Sequence, residues 1–481
     1  MAGNCNLSGL TVYTPSPSNP WDLKKINHLY KRLAFGIRAE DAVPLLAQSP
    51  SDVIDDLIDN FGDFALTPPP DEDYITGVGV AAQLRVWNVG MFGEFHEKGM
   101  QGQLFLFWHN HFVAISDRPR YVYAYTSFLQ ENSLGNFKDF TRAVGIMPQM
   151  LRYLNGSDNV KDAPNENYAR ELYELFTLGE GNGYTEFDIT ETARALTGYT
   201  NEDGDGDRKY MTSISFVEDD WDEGEKTIFG RTGNWGYDDV IDILFDEHEE
   251  QISIFITEKI YRHFVHPDLP DDTTVIADLA QTFRTNNFEL APLFKQLFKS
   301  EHFFDPSAMD VIIKSPIDQC LGLHRSSNFS FFNAIENSRF KSFSDDLSQS
   351  LYDQPDVSGW PGDRIWVSSP NFINTWSVLD AYIDFYYRNG NRNREDFRNL
   401  ALSVSSSTTD YKIVSNAIMD WFLPSELLTD QDYLVAQDIF KSNVPDNYFV
   451  DGTWDLTYNE VNLQVSVLLK HIVKLPAFYL K

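Results

Sequence analysis

The 481-residue sequence predicts a mainly α-helical, multi-helix globular protein with one small β-hairpin. Three observations carry that expectation. Helix-start signals recur along the chain, apolar residues follow them at helical spacing, and only one stretch alternates in the manner of a strand.

The first start signal is Ser49-Pro50-Ser51-Asp52: a capping serine precedes a proline at the first helical position, and Asp52 is placed to complete a capping box. Val53, Ile54, Leu57, Ile58 and Phe61 then follow on one face. Residues 83–112 read as two aromatic-rich helices broken near Gly99 and Gly102. Thr185-Glu186-Phe187-Asp188 opens a helix with Ile189, Ala193 and Leu196 inward and Gly198 as its left-handed terminator. Residues 252–265 form another, with Glu258 and Arg262 one turn apart as an ion pair. Ser315-Pro316-Ile317-Asp318 repeats the first signal. The exception is residues 209–216, which alternate as a strand and are expected to pair with residues 226–229 across the acidic loop 218–225.

This pattern divides into an N-terminal extension (1–20), a helical lobe (21–200), an acidic loop with the hairpin (201–235), a central helical lobe (236–388) and a C-terminal helical region (389–481). Residues 389–394, made only of Asn, Gly and Arg, are expected to be a surface loop at the last boundary.

With 42% hydrophobic residues, 36 Phe and 23 Tyr, the chain can bury a large core built on rings. A net charge of −34 repels phosphate backbones and anionic headgroups, so nucleic acid is excluded as a partner class. Two cysteines, Cys5 and Cys320, exclude a disulfide framework or a cysteine zinc site as the main source of stability. No window of 18 apolar residues marks a transmembrane helix, and residues 1–19 lack the basic and apolar regions of a signal peptide.

Three phrases stand together in the first half: Phe107-Trp108-His109-Asn110-His111-Phe112, Met150-Leu151-Arg152-Tyr153-Leu154, and Ala163-Pro164-Asn165-Glu166-Asn167-Tyr168-Ala169-Arg170-Glu171-Leu172. With Glu174-Leu175-Phe176-Thr177-Leu178-Gly179, Ala195-Leu196-Thr197-Gly198-Tyr199, Lys226-Thr227-Ile228-Phe229-Gly230 and Val357-Ser358-Gly359-Trp360-Pro361-Gly362, they resemble the bacterial domain-of-unknown-function 1800 family, from about residue 28 to beyond 376. The resemblance implies a mainly helical protein and no assigned reaction. Relatives are commonly exported, so export is the alternative to the cytoplasmic placement that the absence of a signal suggests. Trp221 stands where the family usually has a histidine, so no role of that histidine carries over.

The 164–179 segment is the first candidate site. Asn165 can cap a helix on which Glu166, Arg170 and Glu174 fall four residues apart, with Asn167 and Glu171 beside them. Tyr168, Leu172, Leu175 and Phe176 form its inner face. This is either an exposed salt-bridge ladder or the wall of a cleft in which Glu171 and a neighbouring carboxylate hold a cation or move a proton. The second candidate is His109 with His111. On a continuing helix, residues two apart point away from each other; if the helix stops at Asn110, both can ligate one metal. Combined, His109, His111, Glu166, Glu171 and Glu174 would make a mixed nitrogen and oxygen site for a divalent metal of unassigned identity, with Glu171, His109 and Arg170 as catalytic residues.

Weaker candidates are Asp203, Asp205 and Asp207, spaced as calcium ligands although Arg208 and Ile214 break the calcium-loop pattern, and Trp360 with Trp366 for ligand stacking. Two functional readings follow. One is a metal-dependent enzyme, of hydrolase type, with a His/Glu site between helices. The other is a non-catalytic binding or assembly protein that takes a glycan, a protein or a small molecule.

Overall fold

Ser49 accepts from Asp52 N and Pro50 opens the Pro50–Asp59 helix, while Asp52 does not close the expected capping box. Full capping boxes form at Thr185 with Asp188 and at Ser315 with Asp318, opening the Glu186–Ala195 and Pro316–Ser326 helices. These caps satisfy amide groups that have no partner within the helix, so short-range chemistry sets where the helices begin. The structure, a computed structural model, describes residues 8–67, 80–200, 214–330 and 333–481. Among the described residues are 22 α-helices and two antiparallel sheets of two strands each.

The mainly helical expectation holds, and the β component is distributed differently. Lys226–Ile228 pairs with Arg231–Gly233 through a tight local turn, while Ser215–Phe216 pairs with Tyr199–Thr200. Alternation marks a strand but does not name its partner: the 226–228 strand took a nearer one and the 215–216 strand a more distant one. Residues 209–213 of the expected hairpin lie outside the described residues. The break in the 83–112 run comes at Lys98, between the Val80–Glu97 and Gly99–His111 helices; Gly102 sits inside the second. The 389–394 loop shrinks to a turn at Asn389 and Gly390, because Asn391 already starts the Asn391–Val404 helix. Arg262 donates to Pro267 O at 2.9 Å, and no ion pair joins it to Glu258 among the described residues.

The core is aromatic. Trp108, fully buried, stacks on Phe112 and Phe137 and meets Phe140 edge-on at 5.2 Å. Phe95 meets Phe35, Phe64, Phe92 and Phe105 at 5.8–6.1 Å. Each buried ring of this kind contributes roughly 1.5–3 kcal/mol of hydrophobic stabilisation, before contact geometry is added. The Gly99–His111 helix runs through this core, with eleven of its residues buried, including both histidines.

Candidate functional site

Every polar side chain of the Trp-His-Asn-His segment has a structural partner, although His109 Nδ1 has none among the described residues. Trp108 Nε1 donates to Ser133 O at 3.0 Å. His109 Nε2 accepts from Tyr352 N at 3.1 Å, and the backbone O of His109 accepts from Gln354 Nε2 at 2.9 Å. Asn110 Oδ1 accepts from Trp360 N at 2.6 Å, and Asn110 Nδ2 reaches back to Trp360 O at 3.4 Å. His111 Nε2 donates to Phe176 O at 3.1 Å, leaving Nδ1 as a lone pair that accepts from Lys259 Nζ at 3.1 Å. These partners give the two imidazoles opposite tautomers.

The helix runs on through His111, so His109 and His111 face opposite sides. Both Nε2 atoms are engaged by backbone groups, and neither ring is hydrogen-bonded to Glu166, Glu171 or Glu174. Among the described residues no group of three His, Cys, Asp or Glu side chains is placed to hold a metal ion. Among the described residues, the five side chains expected to share a metal are thus not grouped around one point. Burial pushes His109 down to about 3 and, with the Lys259 charge adding, holds His111 well below its ordinary value.

The glutamate stripe is a solvent-facing ladder. Arg170 contacts Glu166 at 3.4 Å, Glu174 at 3.2 Å and Glu186 at 2.7 Å, and Thr190 Oγ1 donates to Glu166 at 2.8 Å. These contacts raise the Arg170 guanidinium further, so it stays a fixed cation and is unavailable for proton transfer. Asn165 Oδ1 accepts from Asn167 N at 3.0 Å, close to its expected capping role, although the helix proper runs from Asn167 to Glu171. Glu171 stands beside the ladder. Partial burial, then the Glu174 charge, push its carboxyl up against the pull of Arg170.

Beyond Glu171 the backbone widens into a π-helix, Leu172–Thr177. Its last carbonyls need outside donors: Lys259 Nζ takes Leu175 O at 2.9 Å and His111 takes Phe176 O. The two motif segments are thus joined, but through backbone carbonyls rather than through the glutamates. Further along, Trp221 offers its ring to Lys226 Nζ at 4.5 Å, and Arg194 pairs with Asp222 at 2.7 Å. Asp203, Asp205 and Asp207 lie outside the described residues.

The Gly-Trp-Pro-Gly turn, held by Asn110, forms one wall of a cavity of about 160 Å³. Trp360 and Trp366 both line it, but at 6% and 4% exposure they are walls rather than open stacking platforms. Gln103, His263, Asp318 and Lys481 also line it. Asp318 accepts from Lys481 Nζ at 2.6 Å, Gln103 Nε2 at 2.6 Å and Ser315 N at 3.0 Å. Burial alone would raise this carboxyl; Lys481 and the hydrogen bonds leave it below its ordinary value, hence ionised. Burial pushes His263 down to about 3, so it is a neutral imidazole, and its Nε2 has no partner among the described residues. Trp360 Nε1 is also without one. Asp318 was visible in the sequence only as a capping residue. Gln103, His263 and Lys481 carried no local signal, because the fold alone brings them together.

With this geometry in view, comparison with known proteins gives one match: the family described as "protein of unknown function (DUF1800)" covers residues 28–480, and the chain belongs to that family. No curated protein and no solved structure matches it. No helix among the described residues is long and apolar enough to cross a membrane.

Proposed function

We propose that the protein is a non-catalytic binder of a small, uncharged, hydroxyl-bearing ligand, of the size and kind of a single sugar ring, held in the Trp360 cavity. The observation that carries this reading is the pairing of two unsatisfied polar atoms, Trp360 Nε1 and His263 Nε2, on residues lining a cavity whose buried charges already neutralise each other. An indole N–H offers a donor, and an imidazole offers a donor or an acceptor according to its tautomer. The Asp318–Lys481 pair keeps the buried part of the lining neutral, while the two indoles add apolar wall. The cavity has room for roughly five waters at liquid density, which a ligand of that size would displace.

The metal-dependent hydrolase reading finds less support, because its histidines already have backbone partners and its arginine is tied to three carboxylates. Saturation-transfer NMR with a panel of monosaccharides tests the proposal on native protein and on His263→Ala. Saturable transfer that the variant loses is expected. No transfer from any neutral polyol, or equal transfer in the variant, removes the cavity as the site.

A further inference from the structure

Lys24, Asn27, His28 and Lys31 fall on one stripe of the Leu23–Leu33 helix, and all four line a cavity of about 300 Å³ against the Tyr411–Phe422 helix. It shares no lining residue with the Trp360 cavity. Asn27 and His28 are only 5% and 3% exposed, yet each carries an acceptor without a partner among the described residues. Asn27 Nδ2 donates to Trp421 O at 2.7 Å, which fixes the amide and leaves Oδ1 as the unpaired atom. His28 Nε2 stands 3.0 Å from Phe303 O, which only accepts, so Nε2 holds the hydrogen and Nδ1 the lone pair. The ring stays neutral, because burial and then the Arg32 charge push it down to about 3. Asp310, on the same wall, adds a carboxylate whose contact with Lys31 Nζ is 3.4 Å, long for a charge-assisted hydrogen bond. Three acceptors thus meet one cavity, and buried acceptors need donors.

We propose that this cavity binds a free α-amino acid with an apolar side chain. The ammonium group brings three N–H donors, one each for Asn27 Oδ1, His28 Nδ1 and the Asp310 carboxylate. The ligand carboxylate meets Lys31, which Asp310 holds only loosely, whereas Lys24 is already paired with Glu426. An amine alone would set its charge beside Lys31 without a counter-ion. An acid alone would leave Oδ1 and Nδ1 unfilled. Lys24 and Lys31 stand against Asp310 and Asp420 in the lining, a balance that suits a ligand of zero net charge. Leu23, Ala417 and Leu423 give the ligand side chain an apolar wall, and the volume, roughly ten waters at liquid density, admits leucine.

The test titrates the full-length protein, ¹⁵N-labelled at its tryptophans, with leucine, and follows the indole of Trp421, which lines the cavity with Nε1 on Ser326 O at 2.9 Å. Salt of about 0.15 M, where the Debye length is about 8 Å, screens diffuse attraction to the acidic surface. The Trp421 signal is expected to shift and saturate while Trp360 and Trp366 stay still. Isoamylamine and isocaproate, which are leucine without its carboxylate and without its ammonium, should each bind on the order of ten times more weakly. Asp310→Asn and Lys31→Met should each weaken leucine by a similar factor; Asn tolerates the left-handed backbone of Asp310, where φ is +52°. No saturable shift with leucine, or either analogue binding as tightly as leucine, overturns the proposal. So does tighter leucine binding in either variant. The analogue comparison uses the native protein and decides the matter even if a variant does not fold.

Discussion

Asn110 grips Trp360 at both backbone atoms, and Gly359 lies so close that a Cβ there would sit 2.3 Å from Asn110 Oδ1. Two motifs about 250 residues apart are thereby fitted to each other. Asn110→Ala leaves Trp360 N and O without partners and is expected to cost about 2 kcal/mol in urea unfolding. Gly359→Ala should cost more, because φ is +91° and the new methyl meets the amide. The double variant should lose less than the sum of the two, since one change removes the atom that the other strikes. Additive losses would show that this contact does not hold the turn.

A different set of residues governs acid stability. His28 and His109 are fully enclosed, and burial pushes each down to about 3. Both titrate near 6.5 once unfolded. Their contribution is therefore complete above pH 6.5 and is lost as pH falls from there toward 3, at about 1.4 kcal/mol per pH unit per group. His109→Gln keeps an acceptor for Tyr352 N and removes one such group. The expected outcome is a shallower fall of the urea midpoint between pH 6 and 4, by one proton. An unchanged slope would mean that His109 is already protonated or solvated in the native state.

The charged pairs divide by burial. Asp318→Ala strands Lys481 and Gln103 in the core and should cost about 3–5 kcal/mol, with part recovered by adding Lys481→Met. Arg170→Met removes three contacts at a solvent-facing ladder and should cost little, with even that loss fading near 1 M salt, where the Debye length is about 3 Å. Equal losses in thermal unfolding at low salt would refute the division.

The elements read correctly in the sequence are those set by local chemistry. Ser49, Thr185 and Ser315 cap their helices because each needs only an amide three residues away. Pairing over distance was not legible. The Lys226 strand took a neighbour five to seven residues on, and the π-helix after Glu171 shifted the register of the carbonyls. The His-Asn-His segment was visible as unusual, since polar groups in an aromatic run need partners. Its partners, Tyr352, Trp360, Phe176 and Lys259, come from three distant segments, so a metal was an equally good expectation until the fold supplied backbone groups instead.

On the proposed reading, the polar groups of the 107–112 segment serve the fold while the adjoining cavity serves the ligand. Indole N–H resonances report on both at once. In protein labelled with ¹⁵N at its tryptophans and titrated with the monosaccharide that gives the strongest saturation transfer, the Trp360 and Trp366 signals should move together and saturate, while that of Trp108, bonded to Ser133 O, stays fixed. Assignments follow from Trp→Phe variants. Still indoles at Trp360 and Trp366 under every neutral ligand, together with zinc-dependent shifts at Trp108 and its neighbouring histidines, would contradict the account and return the site to His109 and His111.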